Sequence, residues 1–446
     1  MEICTVDGFE QVGKNMTAVK IGEDVFLFDA GFDIPSLIRM QEAERVPVYS
    51  ERNLRRFKAI PNDLVLDKLG WREKVRAIII SHAHLDHVGA LPFIFSRYKK
   101  AVILATPFTM AVAESIARDE RRKAFFQGKR VVIRGKPIYE LKGKSGRYKI
   151  QFIHTTHSTL QCSFIALHSR EGIFFYALDF KMDRTPILED PPDYEALKLV
   201  GRKGVKVLVV DALYSGNNEH TPSESVARSL LQSAMASVKD HDSAFFIATF
   251  SSHIARLKSI IDFSKQTGRK VVFLGRSLHK YASCAERIGV YPFNSRVAMP
   301  KYGSQVNSML KKIERDRGKY LVVCTGHQAE EGSILDRIVR GMTPFKFRKG
   351  DHLIFSSKVI PVKENIEARK KMDTALRRMG VVIQDNVHVS GHASAKDILE
   401  LFQLVKPENV IPSHGTIRQL RPLLSLARRF GIKRVSLSRN GKLLKF

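Results

Sequence analysis

Cysteine is scarce in this chain. Its four residues, Cys4, Cys162, Cys284 and Cys324, lie far apart and form no CxxC pair. That spacing argues against a disulfide framework and a cysteine-based zinc site, and it fits a reducing compartment. Long apolar runs are absent too: nothing approaches the roughly 20 residues of a membrane span. The start, Met1-Glu2-Ile3-Cys4, has neither the basic nor the apolar segment of a secretory signal. A cytoplasmic protein with no membrane segment is expected. Acidic residues are few relative to basic ones, 45 Asp+Glu against 74 Lys+Arg, giving a formal charge of +29. Such an excess predicts a polyanionic partner, nucleic acid foremost. There is no internal repeat and no low-complexity tract. At 446 residues the chain exceeds one simple core, so two domains are expected.

Against these absences stands Ser81-His82-Ala83-His84-Leu85-Asp86-His87. It follows an apolar run over residues 75–80, broken only by Arg76. Such a run reads as a buried strand. The cluster then falls where the strand stops and the backbone turns, so imidazoles and a carboxylate can converge. His and Asp are the usual ligands of a hydrolytic zinc centre.

The same arrangement recurs. Residues 25–28 lead into Asp29-Ala30-Gly31, 149–154 precede His157, and 172–178 precede Asp179. From Lys206 the pattern becomes strand–helix alternation. Strands are expected at 207–210, ending at Asp211, and at 244–249, 271–274, 320–325 and 352–355. Helices are expected at 223–238, opened by Thr221-Pro222-Ser223-Glu224, and at 252–267, closed by Gly268. A basic helix is expected over about 363–379. This alternation predicts a doubly wound parallel unit. After Gly380 short strands return at 381–383, 387–389 and 409–411, and ligand-type residues again follow strand ends. The C-terminal segment is therefore expected to complete the first domain, with the middle inserted into it.

Candidate ligands for a two-metal site are His82, His84, Asp86, His87, His157, Asp179 and His414. In an extended segment His82 and His84 point the same way and can share one ion. Asp86 and His87, beyond the turn, can reach a second. The two oxygens of Asp179 can bridge both. His157, Asp179 or His414 taken singly would more often be a surface, capping or turn residue. It is their place at strand ends that sets them apart.

The motif His82-Ala83-His84-Leu85-Asp86-His87 resembles the HxHxDH signature of the metallo-β-lactamase fold. Asp29-Ala30-Gly31, His157 and Asp179 resemble its other motifs. The likeness continues through Ala248-Thr249-Phe250-Ser251-Ser252, Gly275-Arg276-Ser277, Thr325-Gly326-His327-Gln328 and Phe355-Ser356-Ser357-Lys358-Val359-Ile360-Pro361. It ends with His388-Val389-Ser390-Gly391-His392-Ala393-Ser394 and Ile411-Pro412-Ser413-His414-Gly415. Together these resemble the β-CASP nuclease branch, most closely ribonuclease J in its short archaeal form. The resemblance implies an α/β fold: an αββα sandwich over 1–210 and 362–446, with a doubly wound β-CASP domain inserted at 211–361.

The resemblance also implies two zinc ions, one on His82, His84 and His157, the other on Asp86, His87 and His414. Asp179 would bridge them, and Asp29 would fix a ligand histidine. Asp86, Asp211 and His392 are the expected catalytic residues, with His392 oriented by Asp211. Ser390, Gly391, His392, Ala393 and Ser394 are the expected substrate-phosphate pocket. The implied activity is 5′→3′ hydrolysis of single-stranded RNA with a preference for a 5′ monophosphate. A homodimer is one assembly the sequence leaves open. Basic runs at 118–123, 129–136, 369–378 and 428–442 fit a channel tracking the phosphate backbone.

Three stretches depart from the family pattern. Ser158-Thr159-Leu160-Gln161-Cys162 replaces a Ser-Ile-Pro run, so a looser loop and altered end recognition are expected. Ala212-Leu213 follows Asp211 in place of Ser-Thr. Ala329-Glu330-Glu331-Gly332 follows Gln328 where Gly-Glu-Pro is common, which bears on nucleotide preference and processivity. Competing readings are an endoribonuclease of the mRNA 3′-end-processing type, a non-catalytic RNA-binding scaffold and a small-molecule hydrolase. The inserted domain and the +29 charge disfavour the last.

Overall fold

The computed structural model describes every residue except 44–48, 136 and 361–362, and gives the backbone alone at 42 and 363. Lys136 of the second basic run and Pro361, which closes one motif and marks an expected domain boundary, lie outside the described residues. The chain divides into two compact units: Met1–Thr221 with Gly391–Phe446, and Pro222–Ser390. In the described residues, no helix is long and apolar enough to cross a membrane.

The first unit is built on two seven-stranded sheets. One runs in the order Lys442–Lys445, Glu2–Asp7, Met16–Ile21, Asp24–Phe28, Val75–Ile79, Val102–Ala105, Arg130–Val132. The other runs Arg434–Val435, Pro407–Ser413, Val205–Asp211, Gly172–Ala177, Ser163–Ser169, Arg147–His154, Ile138–Lys142. Side chains alternate across a strand, and here both faces are buried. Phe174 and Tyr176 join Phe26, Phe28 and Ile79 in the core between the sheets. Phe175 and Ala177 turn the other way, onto Leu197 and Val200 of helix Tyr194–Lys203 and Ile398, Leu401 and Phe402 of helix Ala395–Val405. This two-faced burial explains why the central strands read as unbroken apolar runs. Each buried Phe or Leu contributes roughly 1.5–3 kcal/mol. On the first sheet, helix Pro107–Asp119 lies against Val102–Ala105, burying Phe108, Val112 and Ile116. These layers are the expected αββα sandwich.

Strand direction is what positions the site. Arg147–His154 and Gly172–Ala177 are both antiparallel to the strand between them, so they run the same way. Val205–Asp211 and Pro407–Ser413 continue that direction in parallel. Their C-terminal ends therefore share one edge, as do those of Asp24–Phe28 and Val75–Ile79 in the other sheet.

The second unit holds a five-stranded, all-parallel sheet in the order Lys270–Leu274, Tyr320–Cys324, Phe245–Ala248, His352–Phe355, Val382–Gln384. Phe246, Val322, Leu353, Leu310, Leu335 and Leu376 form its core. The expected doubly wound insertion is thus present, but the strand expected at 381–383 to return to the first domain belongs to this sheet instead, paired with His352–Phe355. Helix Glu224–Ala236 is capped by Ser223, and helix Ile254–Thr267 ends at left-handed Gly268. Residues 387–389 are not a strand, contrary to expectation. The Val387 carbonyl accepts from Arg256 (3.2 Å) and Ser356 (2.9 Å), side-chain bonds that take the place of a ladder. Ala329 holds φ +59°, a left-handed backbone that glycine adopts without strain.

Candidate metal centre

The ends of six strands supply the site. His82 and His84 follow Val75–Ile79, and Asp86 and His87 sit in the short helix Leu85–Val88 capped by His84. Asp29 follows Asp24–Phe28, His157 follows Arg147–His154, and Asp179 follows Gly172–Ala177. Asp211 is the last residue of its strand, and His414 comes directly after Pro407–Ser413. Asp29, Asp179 and His414 have φ of +59°, +51° and +65°. Left-handed backbone at non-glycine residues costs about 1–3 kcal/mol and concentrates at functional sites. Close packing reinforces the geometry: a Cβ on Gly31 would stand 1.6 Å from the Asp86 carbonyl oxygen, so only glycine fits beside the His cluster.

All seven candidate ligands are brought together in two overlapping groups. His82, His84, His157 and Asp179 form one, Asp86, His87, Asp179 and His414 the other, with ligand atoms inside each group within 4.8 Å of one another. Asp179 belongs to both. Its Oδ2 lies 3.2 Å from His87 Nε2, 3.5 Å from His157 Nε2 and 3.6 Å from His82 Nε2, and its Oδ1 lies 3.3 Å from His414 Nδ1. His84 Nδ1 and His157 Nε2 are 3.1 Å apart.

Neighbours fix the ring orientations. His87 Nδ1 pairs with Asp29 Oδ2 at 2.7 Å, His157 Nδ1 with the Gly391 carbonyl at 2.6 Å, and His82 Nδ1 with Ser81 Oγ at 3.0 Å. Asp29 also accepts from the Ser81 amide and hydroxyl. These contacts turn the Nε2 atoms inward, the usual arrangement behind metal-binding imidazoles. A Cβ on Gly391 would stand 2.8 Å from the His157 ring, which explains glycine there.

The donors fit a divalent ion. His82 Nε2 and Asp179 Oδ1 are buried and make no hydrogen bond, an expensive condition for polar atoms unless something else satisfies them. Ligand atoms around a tetrahedral zinc stand about 3.3 Å apart, given bonds near 2.0–2.1 Å. The separations of 3.1, 3.5 and 3.6 Å are close to that. Burial, together with neighbouring imidazoles, holds His84 and His157 well below the ordinary histidine range, favouring the neutral form that ligates. Burial also opposes ionisation of Asp179, yet His414, His87 and His392 outweigh it and keep the carboxylate well below its usual range.

His392 lies beside this centre, its ring 5.1 Å from that of His157 and 5.2 Å from that of His414. Its Nδ1 pairs with Asp211 Oδ2 at 2.8 Å. Burial disfavours the imidazolium, but Asp179 and Asp211 prevail and raise it to about 9. The expected phosphate pocket is divided. Ser390 belongs to the second unit and Gly391–Ser394 to the first. Ala393 is buried, and Ser394 caps helix Ala395–Val405, its amide donating to Asp397 and Thr221. The loop expected to be loose is pinned. The Gln161 amide donates to Glu189 at 2.7 Å, Gln161 Oε1 accepts from the Phe108 amide at 2.8 Å, and the Cys162 carbonyl accepts from Thr155. These bonds supply the restraint a proline would have given. In the basic runs, Arg369 is buried against Phe355 and bonded to Asp373 and Asp385, so it is not channel surface.

One residue had no signal in the sequence. Asn15, wholly buried, places its amide nitrogen 3.0 Å from His87 Nε2 and 3.0 Å from His414 Nδ1. A lone asparagine after a turn has neither periodicity nor ligand spacing to mark it.

Comparison with known proteins agrees with this geometry. Residues 10–167 match the metallo-β-lactamase superfamily, 242–372 the β-CASP domain of ribonuclease J, and 378–437 the Zn-dependent metallo-hydrolase RNA specificity domain. The chain is 36% identical to ribonuclease J of Pyrococcus abyssi over 99% of this chain and 96% of that one. It is 33% identical to ribonuclease J of Methanocaldococcus jannaschii over 100% of this chain and 99% of that one. A crystal structure of a protein of unknown function from Enterococcus faecalis superposes with a TM-score of 0.64 at 14% identity, covering 99% of each chain, a likeness of fold alone. With shared sequence along its whole length and both characteristic domains present, the chain belongs to the ribonuclease J family of metallo-β-lactamase-fold, β-CASP proteins.

Proposed function

We propose that this chain is a zinc-dependent ribonuclease that shortens single-stranded RNA from its 5′ end and prefers a 5′ monophosphate. Family membership and the RNA specificity match support metal-dependent hydrolysis of RNA. The observation that carries the reading is the pair of ligand groups sharing Asp179. In this reading His82, His84 and His157 hold one ion and Asp86, His87 and His414 the other. Asp179 bridges the two, and Asp29 orients His87. Two divalent ions bound there would neutralise phosphodiester charge and bring the pKa of water towards neutrality.

The chain's own groups do the rest. Asp86 is one-fifth exposed, against 2% or less for Asp29, Asp179 and Asp211, so it is the carboxylate open to accept a proton from attacking water. His392, held by Asp211, would meet the leaving oxygen as acid or as a positive charge. Gly391, Ala393 and Ser394 hold the loop, Gly391 through its bond from His157 and Ser394 as a helix cap, while Ser390 precedes it. A cytoplasmic location is part of this reading.

The test uses RNA labelled at its 5′ end, carrying either a mono- or a triphosphate. Labelled mononucleotide released early, and faster from the monophosphate, is the expected result. Discrete internal fragments from both substrates would favour endonucleolytic cleavage instead. An unchanged substrate with RNA retained on the protein would favour a scaffold.

A further inference from the structure

We propose that Asn15 is a positioning residue for one half of the metal centre, the half formed by Asp86, His87 and His414. The proposal rests on the two-ion reading above. A buried amide must find partners, and those of Asn15 come from two distant chain segments. Its Nδ2 lies 3.2 Å from the Asp86 carbonyl and 3.0 Å from His414 Nδ1, leaving His414 Nε2 to ligate; His87 Nε2, also 3.0 Å away, is itself a ligand atom and is turned by Asp29, not by Asn15. The Asn15 backbone amide donates to the same Asp86 carbonyl at 3.0 Å, and the Asn15 carbonyl accepts from Gly31. One residue thus sets the gap between the segment carrying Asp86 and His87 and the one carrying His414.

The surroundings are shaped for it. Gly8 holds φ +94°, and a Cβ there would stand 2.5 Å from Asn15 Oδ1. The Gly8 carbonyl accepts from the His414 amide at 2.7 Å and the Ser413 hydroxyl at 3.0 Å. The His414 backbone is therefore fixed by Gly8 and its ring by Asn15. Gly13, two residues before Asn15, lies so close to Asp86 that a Cβ would meet Asp86 Cβ at 3.0 Å.

The other half of the centre is oriented without Asn15. His82 is turned by Ser81, and His157 by Gly391. This asymmetry gives the proposal its distinguishing consequence. Removing the Asn15 side chain loosens one ion site and spares the other, whereas a general loss of fold would weaken both.

The experiment strips Asn15→Ala and the unaltered chain with a chelator, then reloads them from a buffered series of free Zn²⁺ and, separately, Co²⁺. Bound metal is counted by elemental analysis, and the cobalt absorption spectrum is recorded. The unaltered chain should bind two equivalents. The variant should bind one equivalent with unchanged affinity and the second roughly 10–100-fold more weakly, the usual cost of losing a residue that orients a ligand. Only part of the cobalt spectrum should change. Far-UV circular dichroism checks the fold. Should the alanine variant not fold, Asn15→Ser keeps a short donor in the same turn and is measured the same way. Two equivalents at unchanged affinities, or equal weakening of both, would overturn the proposal. Failure of the unaltered chain to bind metal would instead sink the two-ion reading beneath it.

Discussion

Arg256, in the unit Pro222–Ser390, is completely buried, and its guanidinium is closed by protein on every side. It forks onto Glu224 at 2.7 and 2.9 Å, and it also reaches the Ser356 hydroxyl at 2.6 Å and the Val387 carbonyl at 3.2 Å. His253 completes the cluster, 3.2 Å from Glu224. The centre on Asp179 in the other unit is largely buried too, apart from Asp86, but left open: protein does not satisfy all of its donors. Two of its inward atoms make no hydrogen bond, and three of its residues hold left-handed backbone. A buried charge whose partners are all protein organises a core; a buried set of donors with partners withheld is prepared for something added later. Removing one partner of the first kind strands the other and damages the fold. The second already carries its cost, and binding would relieve it.

The sharpest way to break this contrast is within the open cluster. His392→Ala removes a group placed for chemistry, not for holding metal. Turnover of 5′-monophosphorylated RNA should fall by roughly 10²–10⁴-fold, with zinc content unchanged by elemental analysis. Parallel loss of zinc would show that His392 belongs to the scaffold of the centre.

In the closed cluster, Arg256→Ala should lower stability by about 3–5 kcal/mol, because it strands Glu224. Denaturant unfolding followed by probes in each unit should place the loss in Pro222–Ser390. A loss below about 1 kcal/mol would mean the pair is worth no more than a surface one.

Acid should find the same weak point. Burial raises Glu224, but His253 and Arg256 outweigh it and hold the carboxylate well below its ordinary 4.5. A depressed carboxylate stabilises the fold fully above that ordinary value, and its contribution disappears as pH falls through the folded-state value. Thermal stability should therefore decline below about pH 4.5, and Glu224→Gln should flatten the decline. An identical acid profile in that variant would contradict the assignment.

The smallest expected effect is at Ala329. Left-handed backbone costs a residue with a Cβ about 1–2 kcal/mol, partly offset by the greater freedom glycine has when unfolded. Ala329→Gly should therefore raise the melting temperature of its unit by a few degrees or less. A lower one would show that Ala329 makes contacts worth more than its strain.

Local chemistry made some of this architecture readable from sequence. The His82–His87 cluster after an apolar run, and Asp179 after 172–178, stand out because ligands at strand ends have few other uses. The inserted unit announced itself through strand–helix alternation with Ser223 and Gly268 as punctuation. What stayed hidden depends on contacts between distant segments. Glu2–Asp7 and Met16–Ile21 are almost wholly buried, so no alternation of polar and apolar residues marks them. Residues 387–389 look like a strand until side chains claim the Val387 carbonyl. Hydrogen bonds through Gln161 restrain the loop that lacks a proline, and the side chain of Asn15 bonds to residues some 70 and 400 positions away.

Metal content is the most direct test of the central claim that Asp179 joins two ion sites into one centre. Zinc should be counted in the purified, unaltered chain and in Asp179→Ala after equilibration at one buffered free-zinc concentration. The account predicts two equivalents in the unaltered chain and weakened binding at both sites in the variant. Two tightly held equivalents in the variant, or none in the unaltered chain, would contradict it.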